Sequence, residues 1–255
     1  MKRDSKHAFI TLTELLVLVP VAALLTTMLF AVSNDAKQQL QAAACLNNMR
    51  QWSLGFMLYA NDYKDYYPYD GAPDSPCAAN NTNAWFNVVP PYIGQQPLCQ
   101  LYAAGTPPTP RIRSVWSCPG STNVTVQPTM ASPVFYYSIN LCWHEQGSTS
   151  VGYRRNRMMS PGNTILFCEE PEDNFSDTNG QYDTVTRHFN GSNFVFGDGH
   201  ADWIAFTNFC RSGNANICPF PFGTIDPNDS TYNGDWNPGI PYHWWPFLNA
   251  GEPPE

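Results

Sequence analysis

The chain has 255 residues, a formal net charge of −8, 23 Pro, 17 Gly and only 13% charged residues against 14% aromatics. An acidic balance with few cations argues against nucleic acid as a partner, because phosphates would be repelled. The aromatic content excludes a disordered chain, and the Pro and Gly content favours turns and short strands over soluble helix.

The chain starts with a basic head, Lys2-Arg3-Asp4-Ser5-Lys6-His7, followed by an apolar run whose one charged residue is Glu14. From Ile10 to Val32 the run is roughly 20 residues, long enough to cross a bilayer core of about 30 Å as a helix. Basic residues favour the cytoplasmic side, and a carboxylate inside such a segment is a functional hypothesis by default. A secretory signal peptide would have a shorter apolar core and a small-residue cleavage site, and a plain anchor would leave Glu14 unexplained. Pro20 should kink the helix or remove one backbone hydrogen bond.

Beyond Val32 the helical pattern continues. Cys45, Met49, Trp52, Phe56 and Tyr59 follow at spacings of four, three, four and three, one apolar face of an amphipathic helix. Asn47, Arg50, Gln51 and Ser53 lie away from it. The segment Asn61 to Pro68 ends the helix, and residues 70–110 read as loop. Val115 to Pro119 is a short strand or the approach to one. Val134–Ile139 and Thr164–Cys168 are strand-like, and Asn193–Ile204 is a hairpin turning at Asp198-Gly199. The Pro- and Trp-rich tail, with Trp236, Trp244 and Trp245, reads as a packed loop, with sugar stacking as the rival reading.

Eight cysteines are scattered without a C-x-x-C pair, which favours disulfides over a cysteine metal site. The preferred pairs are Cys210 with Cys218, across a short loop, and Cys45 with Cys118, tying the helix to the globular part. Glu169, Glu170, Glu172, Asp173, Asp177 and Asp183 read as a solvated acidic loop, with Ca²⁺ as the lesser alternative.

The segment Phe9-Ile10-Thr11-Leu12-Thr13-Glu14-Leu15-Leu16-Val17 resembles the start of type IV pilins and type II secretion pseudopilins. Downstream, His188, nine intervening residues and Asp198-Gly199 resemble the processing-associated His-x9-Asp-Gly motif of one bacterial group of prepilin-like proteins. Cys45–Gln51, Tyr59–Tyr63, Cys118-Pro119 and Ser160–Thr164 match its other landmarks in order.

The resemblance implies an α+β, pilin-like fold: a long N-terminal helix, transmembrane in its first half, packed on an antiparallel sheet with long loops. It divides the chain into a leader at 1–9, a transmembrane half-helix at 10–32, an amphipathic half at 33–62 and an exported β-rich domain at 63–255, with the motif hairpin at 188–199. A prepilin peptidase would cut beside Phe9 or Ile10, and an N-methyltransferase would act on the new amine. Glu14 would pair with the amine of a neighbouring copy. The implied partners are other copies or related subunits and the membrane. The implied location is the bacterial inner membrane, single-pass, with the globular part periplasmic or extracellular.

The expected function is therefore a non-enzymatic filament subunit without cofactor. Two alternatives stay open: an anchored exported protein that binds glycans or another surface ligand, and a metal-dependent enzyme built on His188, Asp198, His200 and Asp202. On a strand, His200 and Asp202 would share a face, with His188 near enough to join them. The rival reading of the motif is structural: a hairpin in which His188 bonds the turn, Ala201 and Trp203 are buried, and His200 and Asp202 meet solvent.

Overall fold

The structure, a computed structural model, describes residues 12–71, 75–110, 114–121, 128–140, 154–158, 160–173, 176–178 and 185–205. Phe9, Ile10, Asp183, Cys142, Cys210, Cys218, Trp236, Trp244 and Trp245 lie outside them. The chain divides into two compact units, Met1–Leu40 and Gln41–Glu255.

Helix α1 spans Leu12–Asp62 and carries Pro20 in its interior. In the first unit, Leu15, Leu16, Val17, Leu18, Val19 and Val21 are all exposed. Among the described residues, no helix is long and apolar enough to cross a membrane. This corrects both the expected fold, with its transmembrane first half, and the expected single-pass location in the inner membrane.

In the second unit, α1 buries one face. Cys45, Met49, Trp52 and Phe56 are fully buried and Tyr59 nearly so, as four- and three-residue steps keep them in one row. Ser53, placed by its polarity on the opposite side, is also buried, because its hydroxyl donates to the carbonyl of Gly199 at 2.5 Å. The helix stops after Asp62, where Lys64 and Asp65 take positive φ.

Residues 70–110 are more ordered than a loop. They hold α2 (Trp85–Val88), α3 (Leu98–Ala103) and two 3-10 turns, Ala79–Asn81 and Pro90–Ile93. A disulfide joins Cys77 to Cys99 across them. Val115–Pro119 is turn rather than strand.

The sheet has five strands: β1 (Phe135–Asn140), β2 (Ile165–Asp173), β3 (Asp177–Thr178), β4 (Gly191–Phe196) and β5 (Ala201–Ala205). Their order is β3-β1-β2-β4-β5. The β1–β2, β2–β4 and β4–β5 pairs are antiparallel, and β3 adds a two-residue parallel edge beside β1. Strands β1 and β4 are buried along their whole length.

The core is aromatic. The Trp52 ring lies 5.2 Å from Trp85, 4.9 Å from Trp116 and 5.8 Å from Phe167, mostly edge to face. Two of the buried indoles find carbonyl acceptors: Trp52 Nε1 donates to Val115 at 2.9 Å and Trp85 Nε1 to Ser176 at 2.8 Å. Burying Trp and Phe side chains of this size stabilises by about 1.5–3 kcal/mol each.

Candidate functional site

Four residues from four separate segments meet beneath α1. Cys45 comes from the buried row of α1, Cys118 from the turn at 117–120, Glu169 from the middle of β2, and His188 from the turn leading into β4. Phe167 contacts Trp52, and strand alternation puts Glu169, two residues on, on the same face toward α1. His188 is placed by a tight turn: Phe189 and Asn190 both have positive φ, and His188 and Gly191 exchange backbone hydrogen bonds of 3.2 and 2.9 Å. A two-residue turn of this kind matches the twist of the flanking strands.

The sulfur, imidazole and carboxylate ligand atoms of Cys45, Cys118, Glu169 and His188 lie within 4.8 Å of one another, and all four residues are buried. Cys45 and Cys118 are joined as a disulfide. His188 Nε2 lies 3.1 Å from Cys118 Sγ and 3.2 Å from Glu169 Oε1. The other oxygen of Glu169 accepts from the Asn193 backbone N–H at 3.0 Å and the Ser192 hydroxyl at 3.3 Å. The Tyr137 hydroxyl lies 3.4 Å from Cys45 Sγ, and the Gly120 backbone N–H points at Cys118 Sγ at 3.4 Å.

Burial opposes a charge on Glu169. The hydrogen bond and charge of His188, the charge of Arg187 and the Asn193 N–H outweigh it and hold the carboxyl below its ordinary range. Burial dominates at Tyr137 and pushes its hydroxyl far above the usual tyrosine range, so it stays a proton donor. The neighbouring carboxylates also accept hydrogen bonds: Ser138 donates to Glu170 and Ser121 to Glu172, while Arg187 donates to Glu172 at 3.1 Å.

These contacts correct the solvated acidic loop. Glu169 and Glu170 are fully buried on β2, which extends past Cys168 to Asp173, and Asp177 begins β3. Runs of carboxylates read as solvent-facing, but here their partners come from distant segments.

The four residues of the alternative metal-dependent enzyme, His188, Asp198, His200 and Asp202, are not gathered. His188 pairs with Gly191 at the start of β4, while Asp198 lies beyond the other end of that six-residue strand, about 20 Å long. Asp198 instead pairs with His200, at 2.6 Å and with both side chains more than two-fifths exposed. Asp202 is exposed and hydrogen-bonds the next backbone N–H, that of Trp203, at 2.8 Å. Trp203 is 37% exposed rather than buried, and its Nε1 donates to the His188 carbonyl at 2.7 Å.

Both ends of the motif touch the helix side of the domain. Near His188 stand Cys45 and Cys118. At the Asp198-Gly199 turn, the Gly199 carbonyl accepts from Ser53, and that of Gly197 accepts from Tyr67 at 3.0 Å. Asp198 N–H donates to Pro161 at 3.2 Å and Gly197 N–H to Thr164 at 2.9 Å. The landmarks, far apart in the chain, therefore meet in two groups at the two ends of β4: 45 and 118 with 188, and 160–164 with 198–199. Cys45 and Ser53 are eight residues apart on α1, about 12 Å.

The Cys45–Cys118 pair is the one expected from the sequence, while Glu169 and His188 beside it are not expected there. No local pattern could have placed them there, since the four residues come from four segments. No family model matches the chain, and no curated protein or solved structure matches it.

Proposed function

We propose that the protein is a non-enzymatic assembly subunit, built into a pilus-like filament through the N-terminal half of α1. One observation carries this reading: Leu15, Leu16, Val17, Leu18, Val19 and Val21 expose between 48 and 73% of their surface on consecutive turns of one helix. A helix apolar on every side needs cover on every side. Helices of neighbouring copies supply such cover, and each Leu or Val fully buried there contributes about 1.5–3 kcal/mol.

Glu14 gives the bundle its register. A carboxylate that meets a cation of the next copy aligns the two chains. In the prepilin resemblance that cation is the N-terminal amine of the next subunit, freed by a prepilin peptidase. The resemblance of Phe9–Val17 and of the His188/Asp198-Gly199 motif supports the same reading.

Glu14→Ala tests it in the full-length protein within its own cells. The folded head is unaffected, since Glu14 lies outside the second unit, while recovery in sheared or pulled-down filaments falls at least tenfold. Undiminished recovery of the variant in filaments overturns the reading.

A further inference from the structure

We propose that, when its two sulfurs are reduced, the Cys45, Cys118, Glu169 and His188 cluster is a binding site for a thiophilic divalent cation, with Zn²⁺ the best fit. This does not depend on the filament reading. The donor set is two sulfurs, one imidazole nitrogen and one carboxylate oxygen, the ligand types that structural zinc uses in fours. In a tetrahedral site with bonds of about 2.0–2.3 Å, ligand atoms stand about 3.3–3.8 Å apart. Here all four donors already lie within 4.8 Å of one another, and His188 Nε2 is 3.1 Å from the Cys118 sulfur and 3.2 Å from Glu169 Oε1.

The surroundings support metal binding as well as proximity does. Metal ligands are usually oriented by a second set of hydrogen bonds. Glu169 has one oxygen held by Asn193 N–H and Ser192, which leaves Oε1 toward His188. The Gly120 N–H and Tyr137 hydroxyl approach one sulfur each, where they can stabilise thiolates. Tyr137 is itself oriented by Asn48, whose amide donates to it at 3.3 Å and to the Ser117 and Ser114 carbonyls at 3.1 Å. The site is closed, with no ligand more than 3% exposed, which suits a structural ion.

The disulfide and the metal are alternative states of the same two sulfurs. A phosphine reductant cleaves the Cys45–Cys118 bond: phosphine and one water become phosphine oxide, and each sulfur gains a proton. Binding of the cation then displaces both thiol protons to solvent. An oxidant of the disulfide class, exchanging with the thiolates, reverses the change and expels the ion.

The test is a Co²⁺ titration of the full chain after phosphine reduction under argon. Tetrahedral cobalt with two thiolates gives intense visible and sulfur charge-transfer bands. The expected result is one Co²⁺ per chain, displaced by Zn²⁺, and no bands before reduction. His188→Gln and the near-isosteric Glu169→Gln should each weaken binding by about tenfold or more, and Cys118→Ser should remove the charge-transfer intensity of one thiolate. The double variant C77S/C99S, which removes the other disulfide, should bind as the parent does. No tetrahedral bands in the reduced parent chain overturns the proposal. So does binding unchanged by both His188→Gln and Glu169→Gln, or loss of the bands in C77S/C99S. The stoichiometry of the parent chain decides the matter even where a variant fails to fold.

Discussion

His188 Nε2 lies 3.2 Å from Glu169 Oε1, with the two side chains 3% and 0% exposed. The pair links the turn before β4 to the centre of β2, under the helix residue Cys45. Its energetics depend on Glu169 staying charged, because a neutral carboxyl would forfeit the attraction that offsets its burial.

Acid should therefore weaken the domain through this group. The folded state holds the Glu169 carboxyl below its ordinary value of 4.5. The unfolded chain thus takes up the proton first. The contribution is complete above about pH 4.5 and is lost as pH falls toward the folded value. In urea unfolding followed by tryptophan fluorescence, the parent chain should lose stability between pH 6 and pH 3, most of it below about pH 4.5. Glu169→Gln should be less stable at pH 6 and lose less over the same interval. Parallel losses would mean that other carboxylates carry the pH dependence.

Trp52 is the residue on which the core turns. It is fully buried and packs against Trp85, Trp116 and Phe167. Trp52→Ala should cost about 3–5 kcal/mol. Two residues along the same helix, Leu54 is 55% exposed, and Leu54→Ala should change stability by about 0.5 kcal/mol or less. Chemical denaturation of the two variants side by side measures the contrast.

Two glycines are fixed by different causes. A Cβ at Gly191 would stand 2.4 Å from the Ile204 carbonyl oxygen and 2.5 Å from the Trp203 ring. The backbone atom cannot move without opening the β4–β5 pair, so Gly191→Ala should cost about 1–3 kcal/mol or more. Gly199 has φ of +93° at the hairpin turn, and its Cβ would meet only the flexible Met57 at 3.1 Å. Gly199→Ala should cost about 1 kcal/mol, mainly from backbone strain. Thermal melts should rank Gly191→Ala below Gly199→Ala.

The parts of the fold that were legible in the sequence were local. The row Cys45, Met49, Trp52, Phe56, Tyr59 follows helical spacing, and the β4–β5 turn is marked by Asp198-Gly199. What was not legible depended on partners far along the chain. Glu169 and Glu170 read as a solvated run because their satisfaction comes from His188 and Ser138, 19 and 32 residues away. Ser53 read as a surface residue because its acceptor, Gly199, is 146 residues on. His188 and Asp198 read as one cluster because proximity in sequence says nothing about opposite ends of a strand. The apolar run from Ile10 to Val32 read as a membrane span from its length and composition, and no described helix is long and apolar enough to be one.

The second disulfide makes a separate claim. Cys77 and Cys99 are 22 residues apart and brace the segment that carries α2 and α3. By loop-closure entropy, such a link stabilises by about 3 kcal/mol. C77S/C99S should lower stability by about that amount, read from the urea midpoint without reductant. A change below about 0.5 kcal/mol would show that α2 and α3 hold together without it.

The proposed filament needs the exposed apolar positions of α1 to be covered by other copies of the chain. Photo-crosslinking from a benzophenone amino acid at Leu16, which is 73% exposed, reads this contact in the full-length protein in its own cells. Illumination should give a ladder of covalent dimers, trimers and higher species, reduced when Glu14→Ala is added. Illuminated protein that stays monomeric, or whose adducts are never to another copy of the chain, would contradict it.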